Sequence, residues 1–435
     1  MEKALFTKEM KDAGYKILIP DMCHIHFKII KEIMQNHGYN AEILYNTGQG
    51  VVDEGLKHVH NDTCYPALLV IGQMIDALKS GKYDIHKVAL LLPQTGGGCR
   101  ASNYISLLRK ALNAMGWGFI PIISLNFSGL EKSPGFKLSL PFIRQLLTAV
   151  VYGDLLMLLD NQVKPYEINR GDSAACVDMW VKELSRRFKD GRGVGAKDRR
   201  AALKAIVDSF ARIPVKKEEK IKVGIVGEIY VKYAPLGNNN LEDFLYEQGC
   251  EVMLGGLIDF ALYCVDTPID TINIYGGSSL VRDGYRLAES YLSSLKDEMI
   301  AAVKENSSFT PPSSFKHLKS KADGIISTGC KMGEGWLLTA EIMELVELGY
   351  GNVICAQPFG CLPNHIVGKG MIRKIKGVIP TANIVPIDYD PGATRVNQEN
   401  RIKLMLAVAA EDQRDAAGVM PDPAQAQPQP LELSR

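Results

Sequence analysis

Residues 87–115 read KVALLLPQTGGGCRASNYISLLRKALNAM, and this stretch decides the fold. KVALLLPQ (87–94) is a short continuous apolar run, the pattern of a strand buried on both faces. The glycines at 96–98 interrupt it. From about Arg100 to Met115 apolar residues return at helical spacing. Strand, glycine turn and helix in that order form a βα unit.

The same order recurs on either side. Upstream, KILIP (16–20) reads as a strand, with an amphipathic helix from Cys23 to His37 that stops at Gly38. AEILYN (41–46) is a second strand, and helices carry 51–59 and about Cys64 to Lys79. Downstream, FIPIISLN (119–126) is a fourth strand. Residues 138–218 differ: SLPFIRQLLTAVVYGDLLMLLDNQV and DMWVKELSRRF are helical in period with no strand between them, and KKEEK (216–220) is a solvated linker. Alternation then returns. IKVGIVG (221–227), EVMLGG (251–256), ADGIIST (322–328), NVICAQ (352–357) and NIVPIDYD (383–390) read as strands. Helices are expected over NLEDFLYEQG, roughly 280–304, about Glu334 to Leu348, and about Asn397 to Ala410.

This pattern predicts an α/β chain of two doubly wound parallel-sheet domains joined by a helical segment. The boundaries are 1–137, 138–218, 219–410, and a disordered tail over 411–435, where Pro, Gln, Asp and Ala dominate. The two domains are similar in kind, without a close sequence repeat.

Length and composition set the class. A chain of 435 residues suits two or three domains at roughly 100–200 residues each. With 46% apolar and 23% charged residues, it can bury large cores. A net charge of +1 gives no argument for nucleic acid or a membrane surface. No apolar run is expected to reach the roughly 18 residues of a membrane span, and MEKALFTKEMKDAGYK lacks the apolar stretch of a signal peptide. The expected location is the cytoplasm.

Nine cysteines in such a chain do not point to disulfides, since the cytosol keeps thiols reduced. Four share one predicted position. Cys64 (NDTCYP) lies where a helix begins. Cys99, Cys330 (STGCKMGEG) and Cys361 (QPFGCLPNH) follow the strands predicted at 87–94, 322–328 and 352–357. All four should therefore stand at the carboxyl edge of a sheet, where open α/β folds bind ligands. Helix starts and glycine turns there offer N–H groups that favour thiolate. Glycines at 96–98, 329, 333, 335 and 360 admit a bulky inorganic group, and Pro66, Pro358 and Pro363 stiffen the loops. Zinc is the rival metal, but structural zinc sites draw on close cysteine pairs, and no C-x₂-C pair occurs. Cys176, Cys250, Cys264 and Cys355 read as small buried packing groups. Cys23, just after the first strand, is intermediate.

The stretches HNDTCYPALLVIGQMIDALKSGKYD, PQTGGGCRASNYISLLRKAL, GCKMGEG and QPFGCLPNHI resemble the activase-related branch of the 2-hydroxyacyl-CoA dehydratase family, over roughly residues 15–410. The resemblance implies two flavodoxin-like domains with a 4Fe-4S cluster between them. It implies a partner, an actin-like ATPase activator that supplies a low-potential electron, after which a ketyl radical eliminates water. Dehydratases of this type hold the cluster through three cysteines and leave one iron open to substrate. Other relatives carry a double-cubane cluster and reduce small molecules. Cys64, Cys99 and Cys330 match the three-ligand pattern. Cys361 is an addition shared by this branch, and a fourth thiolate shifts the role toward electron transfer. A dimer is compatible with the resemblance.

Other features carry less. GRGVGAK (191–197) lacks the spacing of a phosphate loop and follows no strand. The histidine pairs in CHIHF (23–27) and HVHND (58–62) read as ordinary surface or packing residues. His365 is better placed, as a donor beside Cys361. Glu334 is a candidate acid or base, although helix starts favour Glu in any case. Arg100, Ser102 and Asn103 are candidate contacts or simple caps.

Overall fold

The structure is a computed structural model that describes residues 4–60, 62–94, 98–125, 133–216, 218–306 and 308–416. The first sheet holds β1 (Lys16–Pro20), β2 (Asn40–Leu44), β3 (Val88–Pro93) and β4 (Ile122–Leu125). The second holds β5 (Lys222–Gly227), β6 (Glu251–Leu254), β7 (Asn352–Pro358) and β8 (Asn383–Tyr389). Both are entirely parallel. Their orders, β2-β1-β3-β4 and β6-β5-β7-β8, are the same. The expected α/β class is therefore present as two all-parallel sheets, and the strand order of each reverses between its first and third strands. Continuous burial along β1, β3, β5 and β7 explains their unbroken apolar runs.

Three helices, Leu140–Val163, Asp172–Lys189 and Ala196–Ala211, connect the domains. The first does more than connect. It packs on helix His24–Asn36 of the first domain and on β6 and helix Leu257–Tyr275 of the second. Tyr152, Leu155, Leu156 and Leu159 on it join a core that also contains Ile17, Ile123, Met253 and Trp336. By length and composition this helix could cross a membrane, contrary to the expectation that no run was long enough. About 67% of its apolar window is buried inside the protein, which is how a core helix satisfies an all-round apolar sequence.

Three expectations need correction. Residues 322–328 form no strand. They are turns after helix Phe315–Ser320, with Ala322 and Ile325 facing the core and Gly324 at φ 72°. A short run such as Ile325–Ile326 cannot by itself distinguish a strand from a buried turn. The sheet runs β6-β5-β7-β8 without it, with β7 flanked by β5 and β8. Secondly, the described residues of the β6 to β7 crossover form helices joined by loops and turns, and its first helix, Leu257–Tyr275, was not anticipated. Thirdly, the last helix runs Arg395–Ala416 rather than stopping at 410. The rest of the proposed tail, like Asn61, Thr95–Gly97, Asn126 and Lys217, lies outside the described residues.

Candidate metal centre

Three of the four selected cysteines stand immediately before a helical turn. Cys64 is the N-cap of helix Tyr65–Lys79, Cys99 of the 3₁₀ turn Arg100–Asn103 after β3, and Cys361 of helix Leu362–Val367 after β7. None of the three makes a side-chain cap hydrogen bond, although the N–H groups of Ala67, Ala101 and Asn364 favour the charged forms of Cys64, Cys99 and Cys361 respectively. Cys330 is different. It is exposed, follows the 322–328 turns rather than a strand, and its carbonyl accepts from Trp336 N at 2.8 Å.

The loops that carry these four residues come together from both domains. Tyr65 N donates to Phe359 O at 2.9 Å. Gly360, at φ 73°, lies so close that a Cβ there would be 3.0 Å from Cys64 Cα. A Cβ on Gly98 would lie 2.6 Å from Met332 Sδ, and one on Gly333 would lie 3.2 Å from Pro363. The predicted need for small residues at 98, 333 and 360 is thus met by loop-to-loop contact.

The side chains are less convergent than the loops. Cys64 Sγ lies 3.0 Å from Tyr104 Oη. Among the described residues no three Cys, His, Asp or Glu side chains stand in a metal-holding arrangement. Nor are the buried thiols depressed toward thiolate, as the helix starts led one to expect. Burial pushes Cys64 and Cys361 up and Cys99 to about 11, outweighing the N–H groups that oppose it. The chemistry of the donor set still suits a thiophilic cluster: four thiols on abutting loops, three of them at helix starts whose N–H groups favour negative charge.

Two carboxylates border these loops. Glu228 follows β5, and its side chain accepts from Val231 N at 3.0 Å, while Glu334 Oε1 accepts from Ile229 N at 3.0 Å. They thus flank one short turn. Burial, then the charge of Glu334, raises Glu228 to about 8, and burial likewise raises Glu334. A carboxyl here is a neutral proton donor at ordinary pH. Glu334 was a candidate from its sequence. Glu228 was missed, although its place directly after the strand at 221–227, at the sheet's reversal point, was a usable signal.

Behind them runs a line of buried charge. Lys232 Nζ meets Glu341 Oε1 at 2.8 Å, Lys296 bonds Asp259, and Asp154 receives His26 Nε2 at 2.8 Å. Of the remaining cysteines, Cys250 and Cys355 are buried as expected, Cys176 is intermediate, and Cys264 is exposed on helix Leu257–Tyr275, against its assignment as a packing group. His58 pairs with Glu54 at 3.3 Å and His60 with Asp62 at 3.4 Å. His365 lies partly buried in helix Leu362–Val367. Residues 191–197 form a turn leading into helix Ala196–Ala211, not a phosphate loop.

No protein-family model matches the chain, and a search of curated proteins returns no match.

Proposed function

We propose that this chain is a cytoplasmic iron–sulfur protein of the 2-hydroxyacyl-CoA dehydratase type. Cys64, Cys99, Cys330 and Cys361 would hold a 4Fe-4S cluster, and an actin-like ATPase would supply the electrons. The observation that carries the reading is the meeting of those four cysteine loops, drawn from two sheets of identical topology. The cluster, once bound, supplies one-electron reduction at low potential.

The protein's own residues have separable tasks in this reading. The N–H groups of Ala67, Ala101 and Asn364 stabilise thiolate once iron replaces the thiol proton. The Glu228–Glu334 pair holds a proton on carboxyl oxygen at neutral pH and can release it to a departing hydroxyl group. The buried Lys232–Glu341 and Lys296–Asp259 pairs keep this side of the site dry and fixed.

Iron and acid-labile sulfide in anaerobically purified, reconstituted protein test the reading, together with paramagnetic resonance of the reduced state. The expected content approaches a full cubane, and fewer than about one iron per chain refutes it. A second reading, an electron-carrying component with a saturated cluster, has its own support. Cys361 follows the third strand of its domain as Cys99 follows the third strand of the other. A Cys361→Ser protein that keeps its full cluster favours the dehydratase arrangement, with one iron open. Cluster loss in both Cys361→Ser and Cys330→Ser favours the carrier.

A further inference from the structure

Cys23, intermediate by its place after the first strand, and the neighbouring histidine pair have no task in the proposed function. In the fold they form a connected set. Cys23 Sγ lies 2.9 Å from His26 Nδ1, and His26 Nε2 lies 2.8 Å from Asp154 Oδ1. Asp154 is fixed in turn by the start of helix Leu257–Tyr275: Leu257 N donates to Oδ1 at 2.7 Å and Ile258 N to Oδ2 at 2.9 Å. All three side chains are buried, at 4%, 0% and 2% exposure.

The surroundings are shaped for the imidazole. Gly153 precedes Asp154, and a Cβ there would lie 2.3 Å from the His26 ring. One Gly–Asp step on helix Leu140–Val163 thus admits the ring and binds it. Cys23 is the N-cap of helix His24–Asn36 and makes no side-chain cap bond. The first N–H groups of that helix are therefore left for another acceptor.

Cys23 and His26 also line a cavity of about 350 Å³. Its charged lining includes Asp160, Glu242 and Asp243 against Lys164. Lys164 is already bound to Asp243 at 3.0 Å, and burial raises Asp160 and raises Glu242 to about 7, so above neutral pH the unpaired carboxylates prevail and favour a cationic occupant.

We propose that Cys23, His26 and Asp154 form a nucleophilic site that takes an acyl group from a small cationic thioester or ester held in this cavity. The step balances without any oxidant. Cys23 Sγ forms a bond to the acyl carbon, and its proton passes to His26 Nδ1. The carbon–sulfur or carbon–oxygen bond of the substrate breaks, and the leaving group takes that proton. Water then hydrolyses the acyl thioester, with His26 again the base. Cys23 and His26 are the catalytic residues. Asp154 is a positioning residue that orients the ring and stabilises the imidazolium. Burial and the Asp154 charge keep the resting thiol protonated, so the base acts during attack rather than before it.

The site does not depend on iron, so its test is independent of the metal centre. Anaerobically purified full-length protein is treated with acetylthiocholine or with p-nitrophenyl acetate, and acetyl groups are located by peptide mass mapping. Cys250 lines the same cavity, and its nearest polar contact is Gln248 O at 4.0 Å, so it serves as an internal control. Acetylation of Cys23 is expected at least roughly 100-fold faster than that of Cys250, the scale of a positioned general base. The cationic ester is expected to saturate at lower concentration than the neutral one. His26→Asn should remove the roughly 100-fold advantage. Asp154→Asn should lower the limiting rate while leaving the half-saturating ester concentration unchanged. Equal labelling of Cys23 and Cys250 in the unaltered protein overturns the proposal, and so does preference for the neutral ester.

Discussion

Gly360→Ala tests whether the cysteine loops are held against each other by backbone contact. Gly360 has φ 73°, and an added Cβ would lie 3.0 Å from Cys64 Cα and 3.3 Å from Cys64 N. Two costs follow. The left-handed conformation costs an L residue about 1–2 kcal/mol, and forcing a methyl against immovable backbone costs about 1–3 kcal/mol. Gly81→Ala isolates the first cost, because Gly81 has φ 74° and nothing within 4 Å of its added Cβ. Gly360→Ala should therefore be about 2–5 kcal/mol less stable than the parent, and Gly81→Ala only about 1–2. Thermal unfolding followed by circular dichroism reads the difference, at about 2–4 °C per kcal/mol for a domain of this size. Under the proposed function Gly360→Ala also retains less iron, while Gly81→Ala retains all of it. If the two variants lose stability equally, to within about 0.5 kcal/mol, the two loops are not in the contact on which the candidate centre depends.

Lys232→Met should destabilise the fold by about 3–5 kcal/mol by stranding the buried Glu341 carboxylate, and Lys232→Met with Glu341→Leu should recover most of the loss, both read by urea unfolding. Burial raises Glu242 from 4.5 to about 7 despite the hydrogen bond from Asn161. The native state thus binds this proton more tightly than the unfolded chain, so the stability it contributes is complete below 4.5 and is lost as pH rises through 7. Glu242→Gln keeps an acceptor for Asn161 and should flatten this decline by about 1–3 kcal/mol; unchanged slopes of unfolding free energy against pH refute it. Cys64→Ser and Cys99→Ser should abolish iron binding, whereas Cys176→Ser, Cys250→Ala and Cys264→Ser should keep it, and normal iron in the first pair refutes the centre.

Much of the fold was legible because parallel strands buried on both faces leave unbroken apolar runs. KILIP, KVALLLPQ and IKVGIVG were placed within a residue or two. ADGIIST failed because so short an apolar run fills a buried turn as readily as a strand, and the sheet runs β6-β5-β7-β8 without it. Helix Leu257–Tyr275 was missed because Pro268 and an apolar sequence hide its period, and the helix is held in place by tertiary packing instead. At the candidate centre, the placement of Cys64, Cys99 and Cys361 at helix starts was legible, and the structure has them there. The environment of each thiol was not legible, because burial is a property of the whole fold, and here it outweighs the helix N–H groups. The contact of His26 with Asp154 was not legible for a related reason: the two lie 128 residues apart, so no local pattern joins them.

The repeated strand order relates the four cysteines in two pairs. Cys99 and Cys361 each follow the third strand of a domain. Cys64 lies between helices Gln49–His58 and Tyr65–Lys79, the second of which leads into β3. Cys330 lies between helices Phe315–Ser320 and Trp336–Glu347, the second of which leads into β7. Each domain therefore offers one thiol before the helix that enters its third strand and one after that strand. Two similar α/β units would in this way supply the four donors of the proposed centre without any close cysteine motif, although the cysteines are dispersed over the chain. The equivalence is incomplete at one point. Cys64 caps its helix directly and is buried, whereas Lys331–Glu334 separate Cys330 from Gly335, the N-cap of its helix, and Cys330 is exposed. In the proposed three-ligand arrangement of Cys64, Cys99 and Cys330, Cys330 would be the thiol on the longest tether and the most exposed of the three.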